Sequence, residues 1–200
     1  MKIDVYSEDQ RDCLQEICNV AMGQAGDALA RHVGIFVTLS IPAIKILDVS
    51  EFTSSLDNYK ASDHVYAAAQ LFDSAHRDSG LSGLGLLVLS EESLSDLRAL
   101  SPGGYSDQEL IVGTCLKLSQ TCLDALSEQW ALGFECQPPQ IITSDSLDGV
   151  CQSLTAGWQR LLVVEINFQL EGHQFNGDLL LLFPDGAISA MGHRLDELLA

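Results

Sequence analysis

The chain has 200 residues, enough for one domain or two small ones and for a substantial core. Its 46% hydrophobic content excludes a disordered chain, and no apolar run approaches the roughly 20 residues that span a bilayer. A formal net charge of −18, with ten scattered Lys and Arg, argues against nucleic acid and anionic membrane surfaces, both of which are bound through clustered cations.

The N-terminus, MKIDVYSEDQ, lacks the apolar stretch of a secretory signal, so a soluble, cytoplasmic protein is expected. Residues 9–32 then carry apolar side chains at helical spacing without proline and read as a long helix. At about 100° per residue, Leu14, Cys18, Ala21, Ala25 and Leu29 form one apolar stripe, flanked by Ile17 and Ala28. Asp12, Glu16, Asn19 and Gly23 share the opposite side, with Gly26 and Ala30 beside them. Asparagine is a poor helix-interior residue because its amide competes for backbone hydrogen bonds. Glycine there costs about 0.5–1 kcal/mol relative to Ala. Gly23 and Gly26 therefore suggest a flat strip that lets another macromolecule's backbone approach. Two plainer readings stand beside it: a solvated face, and glycines that admit a neighbouring helix of the same chain.

The short β-rich run IFVTLSI follows, then VYAAAQLF as a strand, HRDSG as a hairpin loop and GLGLLVLS as a second strand. EESLSDLRAL, with its acidic first turn, closes this half as a short helix. Residues 107–131 read as a second long helix, followed by the β-rich GFECQPPQII. The stretch QPPQIITSDSLDGVCQSLTAGWQ is the most loop-like and is expected to be an excursion. LLVVEINFQL, the loop EGHQFNG and GDLLLLF complete the pattern. GLGLLVLS and GDLLLLF are too apolar for half-exposed strands, so they should be central and covered on both faces.

This order repeats. Residues 26–44 resemble 123–141 at an offset of 97, and residues 82–100 resemble 176–195 at an offset of 94. Neither half buries a core well alone. The expected fold is a single α+β domain over residues 1–200, built from pseudo-symmetric halves of about 1–105 and 106–200. Its antiparallel sheet should carry the long helices packed against it.

Familiar catalytic constellations are absent from the pattern. The six cysteines (13, 18, 115, 122, 136 and 151) include no Cys-x-x-Cys, and the first four lie among apolar helix neighbours. Buried reduced thiols are expected. The five dispersed histidines form no zinc motif, so no metal site is expected. GLSGLG precedes a strand and not a helix, and DSLDG lacks calcium-ligand spacing. Trp130 and Trp158 read as core or interface.

The spacing Asp12-x3-Glu16-x2-Asn19, followed by 22 residues and Pro42, resembles the signature of the CheC/CheX/FliY family of response-regulator phosphatases. LQEICNVAMGQAGDAL is similar to that family's Glu-x-x-Asn helix, VTLSIPAI to its following strand, and the repeated layout to its fold. The resemblance implies a phosphatase acting on the aspartyl-phosphate of a CheY-like receiver. Asn19 and Glu16 would be its catalytic pair, with Asn19 positioning the attacking water and Glu16 contacting the receiver's lysine. Asp12, Gly23 and Pro42 would belong to the motif and docking strip, with Pro42 shaping the helix support. The chain would need no cofactor of its own, because the Mg2+ belongs to the receiver. Binding without catalysis, to a receiver, a chemotaxis receptor deamidase or a flagellar switch component, is the alternative. A homodimer through exposed sheet edges is a further candidate assembly.

The second half departs from the pattern. Asp12, Glu16, Asn19 and Pro42 map onto Glu109, Gly113, Leu116 and Pro139. One active helix is therefore expected, with Leu116 covered by the chain itself or by a second subunit.

Overall fold

The computed structural model describes residues 5–33, 36–56, 65–75, 80–101, 103–142, 155–173 and 175–200. Its first helix, α1 (Glu8–Val33), starts at a reciprocal cap. Gln10 N donates to Ser7 Oγ at 3.2 Å and Ser7 N donates to Gln10 Oε1 at 2.8 Å. Two short strands follow, β1 (Val37–Leu39) and β2 (Ala43–Asp48), then a short helix α2 (Val49–Ser55). A long hairpin of β3 (Val65–Ser74) and β4 (Ser82–Ser90) leads into α3 (Glu91–Leu100).

The second half begins with α4 (Asp107–Trp130) and the short strands β5 (Phe134–Cys136) and β6 (Gln140–Ile142). The hairpin of β7 (Arg160–Leu170) and β8 (Asn176–Pro184) then leads into α5 (Asp185–Leu199). The loop HRDSG falls outside the described residues except for Gly80, and so do residues 143–154 of the expected excursion.

All eight described strands join one antiparallel sheet in the order β1/β2–β7–β8–β4–β3–β5/β6. The halves exchange edges: β1 and β2 of the first half pair with β7 of the second, and β5 and β6 of the second pair with β3 of the first. At the centre β4 meets β8 with Leu86 opposite Leu180. These two residues are 94 apart, the offset of the repeat, so the pseudo-twofold axis runs through their pair.

Alternation along the central strands fills two cores. Leu87, Leu89, Leu179, Leu181 and Phe183 face α1, α4 and α5, in a cluster with Phe72, Phe168 and Trp130. Leu84, Leu86, Val88, Leu180 and Leu182 face the other way, against Phe52, Leu56 and Trp158. That two-sided cover explains why these strands read as continuous apolar runs.

Each β-rich run after a long helix is two strands, a division the sequence reading missed. Leu39 pairs with Phe168 and Ala43 with Glu165, so residues 40–42 oppose only 166–167. Cys136 pairs with Phe72 and Gln140 with Ala69, so residues 137–139 oppose only 70–71. Both are β-bulges of one extra residue, and they fall at Pro42 and at Pro138–Pro139. Proline has no N–H to give a ladder and is tolerated at edge-strand bulges.

Candidate functional site

The buried stripe of α1 is as its spacing requires: Leu14, Cys18, Ala21, Ala25 and Leu29 are all buried. Small side chains dominate it, and α1 lies on α4, α5 and β1. The opposite ridge is free. Asp12, Glu16, Asn19 and Gly23 are all exposed, and a Cβ built on Gly23 would meet nothing within 4 Å.

Gly26 corrects the sequence reading. It is buried, and a Cβ there would come within 3.3 Å of the Leu39 side chain on β1. Sheet packing accounts for that glycine, whereas Gly23 alone keeps the ridge low.

Pro42 is buried below the ridge. Ser40 N donates to Asn167 O at 3.0 Å, and Asn167 N donates to Ser40 Oγ at 3.0 Å, which pins the bulge on the sheet edge. The Pro42 carbonyl turns towards α1, where Gln15 Nε2 donates to it at 3.2 Å. The same nitrogen donates to Asn19 Oδ1 at 3.1 Å. Glu16 has no hydrogen-bond or ion-pair partner among the described residues, and neither does the Asn19 amide nitrogen.

Two exposed apolar side chains flank this group: Val20, next to Asn19, and Ile41, next to Pro42 and 79% exposed. Sequence reasoning overlooked Gln15, Val20 and Ile41. Gln15 carried a usable signal, since it lies one turn before Asn19, within reach of a side-chain amide.

An open cleft of about 850 Å³ lies beside the ridge, lined by Tyr6, Asp12, Gln15, Lys45, Glu51 and Arg160 among others. Glu16 and Asn19 lie outside it. Its lysine pairs with Glu165 at 2.8 Å and its Arg160 with Asp185 at 3.1 Å. The polar pair therefore lies outside the cleft, on the convex outer face of the helix.

The equivalent face of α4 is different in kind. Gly113 is exposed with nothing within 4 Å of a built Cβ. Leu116 is 40% exposed, so the described residues of this chain do not supply the cover expected of the chain itself. Glu109 has its own local role. With Ser106 it closes a capping box, its carboxylate accepting from Ser106 N at 2.8 Å and Ser106 Oγ at 2.7 Å. Those bonds hold its carboxyl below the usual range. The acid persists in the second half as a helix cap, in the place that Gln10 fills in α1.

Cys18, Cys115 and Cys122 are buried, and burial pushes their thiols up to about 12, 11 and 12. Trp130 is core and Trp158 packs half-buried against the second cluster. Among the described residues no three His, Cys, Asp or Glu side chains cluster as metal ligands would. No described helix is long and apolar enough to cross a membrane.

No family model and no curated protein matches the sequence. Solved structures do match it. The chain is similar to Thermotoga maritima FliY, at 18% identity over 96% of this chain and 98% of that one, with a TM-score of 0.68. It is similar to the FliM middle domain of Vibrio alginolyticus, at 14% identity over 91% and 99% of the two chains, TM-score 0.65. The FliG–FliM complex from H. pylori also contains a similar chain, at 15% identity over 94% and 99%, TM-score 0.62. The fold is therefore CheC/CheX/FliY-like: one α+β unit with an antiparallel sheet and the long helices on it.

Proposed function

We propose that this protein is a phosphatase that removes the phosphoryl group from the aspartyl-phosphate of a CheY-like receiver, using the α1 ridge. The observation that carries the reading is the exposure of Glu16 and Asn19 together on a convex face, with the Glu16 carboxylate unpartnered among the described residues. An unpartnered acid and an amide beside an uncrowded glycine suit insertion into a site that offers the acid a cation and the amide a water. Phosphoryl transfer needs an in-line nucleophile and charge balance more than covalent help. Asn19 both donates and accepts hydrogen bonds, so it can hold a water in line. The water oxygen forms a bond to phosphorus while the bond to the aspartyl oxygen breaks. Inorganic phosphate leaves, the receiver's carboxylate is restored and the water's proton passes to solvent. Glu16 pairs with the receiver's lysine, a charge-assisted contact in a partly desolvated interface. The Mg2+ in this scheme belongs to the receiver.

Val20 and Ile41 would supply apolar contact around the polar pair. The second helix, with Gly113 and Leu116 in place of the acid and amide, takes no part in the chemistry. The competing reading is a binding module of the same fold, and FliM bound to FliG is a precedent for such a role.

Phosphate release from a panel of phosphorylated CheY-like receivers tests the proposal. Wild type should accelerate one of them, and Asn19→Ala should lose at least about tenfold, or roughly 1.4 kcal/mol of transition-state stabilisation. Binding of a receiver, a deamidase or a switch component without faster release would replace the phosphatase by the adaptor.

A further inference from the structure

Gln15 lies between Asn19 and Pro42, and its chemistry admits one arrangement. The Pro42 carbonyl only accepts, so the group facing it at 3.2 Å must be the Gln15 NH2. That nitrogen only donates, so the Asn19 atom 3.1 Å from it must be Oδ1. The Asn19 NH2 is thereby turned away from the protein, and Oδ1 keeps one lone pair. A free asparagine amide on a helix surface would sample both orientations.

We propose that Gln15 is the positioning residue for Asn19: anchored on the Pro42 carbonyl, it fixes which end of the Asn19 amide a partner meets. This gives the proline 22 residues downstream a physical task. The bulge at residues 40–42 takes the Pro42 carbonyl out of the β7 ladder, so that it is available to α1. The second half is an internal control. Both bulges are kept, with Pro139 at the site of Pro42, but Val112 stands at the place of Gln15 and Leu116 at that of Asn19. Where no amide needs aiming, the donor is missing too.

The inference rests on the phosphatase reading for its consequence in turnover, but not for the hydrogen bonds. Two measurements on the full chain separate them. In 15N–1H spectra the Asn19 side-chain amide is identified by its loss in Asn19→Asp. Gln15→Met removes the donor without adding charge and should shift that signal, whereas Gln15→Lys, which restores a donor on a flexible stem, should return it towards the wild-type position. With the receiver that wild type dephosphorylates, Gln15→Met should lower kcat about tenfold with KM changed by less than about twofold, and Gln15→Lys should recover most of the loss. An Asn19 signal unmoved by Gln15→Met overturns the positioning role, whatever the activity. Equal kcat loss in Gln15→Met and Gln15→Lys overturns it as well. If wild type accelerates no receiver, the phosphatase reading fails and the spectra alone decide the role of Gln15.

Discussion

Gly23→Ala separates what the glycine costs the helix from what it gives a partner. Gly23 lies in mid-helix on the exposed ridge, with nothing within 4 Å of a built Cβ. Replacing it adds no clash and reduces the freedom of the unfolded chain, so the variant should be more stable by about 0.5–1 kcal/mol. For a 200-residue chain that raises Tm by about 1–4 °C. Gly113 is the matched control, since it is exposed and equally uncrowded on α4, and Gly113→Ala should stabilise by the same amount. Denaturant titration followed by tryptophan fluorescence suits both, because Trp130 is fully buried. The two variants should part in the receiver assay. A methyl on the ridge, one turn beyond Asn19, keeps a closely docked backbone at a distance, so Gly23→Ala should raise KM while Gly113→Ala leaves turnover unchanged. A neutral or destabilising Gly23→Ala would refute the exposed placement of the ridge. Unchanged KM would refute the idea that the glycine is there for close approach.

Three further outcomes follow from the packing and the charges. At Gly83 a Cβ would lie 2.5 Å from Phe72 Cζ and closer still to the Leu182 carbonyl, so Gly83→Ala should destabilise by at least about 2 kcal/mol in the same titration. Burial pulls the Asp185 carboxyl upward, but hydrogen bonds from Arg160 N at 2.9 Å, Gln159 N at 3.0 Å and the Arg160 guanidinium outweigh it, leaving it below its usual value. A lowered folded-state value contributes stability above the unfolded carboxylate range that is lost as pH falls through the folded value. Asp185→Asn should therefore cost about 1 kcal/mol near neutrality, and the deficit should shrink in acid-denaturation curves. Finally, burial raises the thiols of Cys18, Cys115 and Cys122 and keeps reagents out. Alkylation at pH 8 mapped by mass spectrometry should leave these three unmodified in the native protein, with Cys13 and Cys136, both half-buried, reacting first among the described cysteines.

Much of this protein was legible before any coordinates. The long helices, the hairpin strands and the faces of α1 followed from periodicity, because burial on one side of a regular element imposes that element's own repeat on the sequence. The doubly covered β4 and β8 announced themselves as unbroken apolar runs for the same reason. The internal offset of 94 anticipated the Leu86–Leu180 pair, since a pseudo-twofold axis must relate each half to its equivalent. Glu16 and Asn19 stood out by their spacing from each other and from Pro42, and both lie exposed on one ridge of α1.

Tertiary structure decided what local spacing does not encode. Periodicity placed Gly26 beside the ridge, but only the position of Leu39 on the neighbouring strand shows that this glycine is packing space. Glu109 matched Asp12 by register, yet its carboxylate serves the N-terminus of α4, because capping depends on where the helix begins. The exchange of edge strands between halves and the bulges at Pro42 and Pro139 depend on pairing between residues more than 100 apart for β1 and β2, and about 70 apart for β5 and β6. The Gln15–Pro42 contact is of the same kind. A hydrogen bond between a helix side chain and a bulged carbonyl exists only once the sheet has set that carbonyl against the helix, and no pattern along the chain carries that distance.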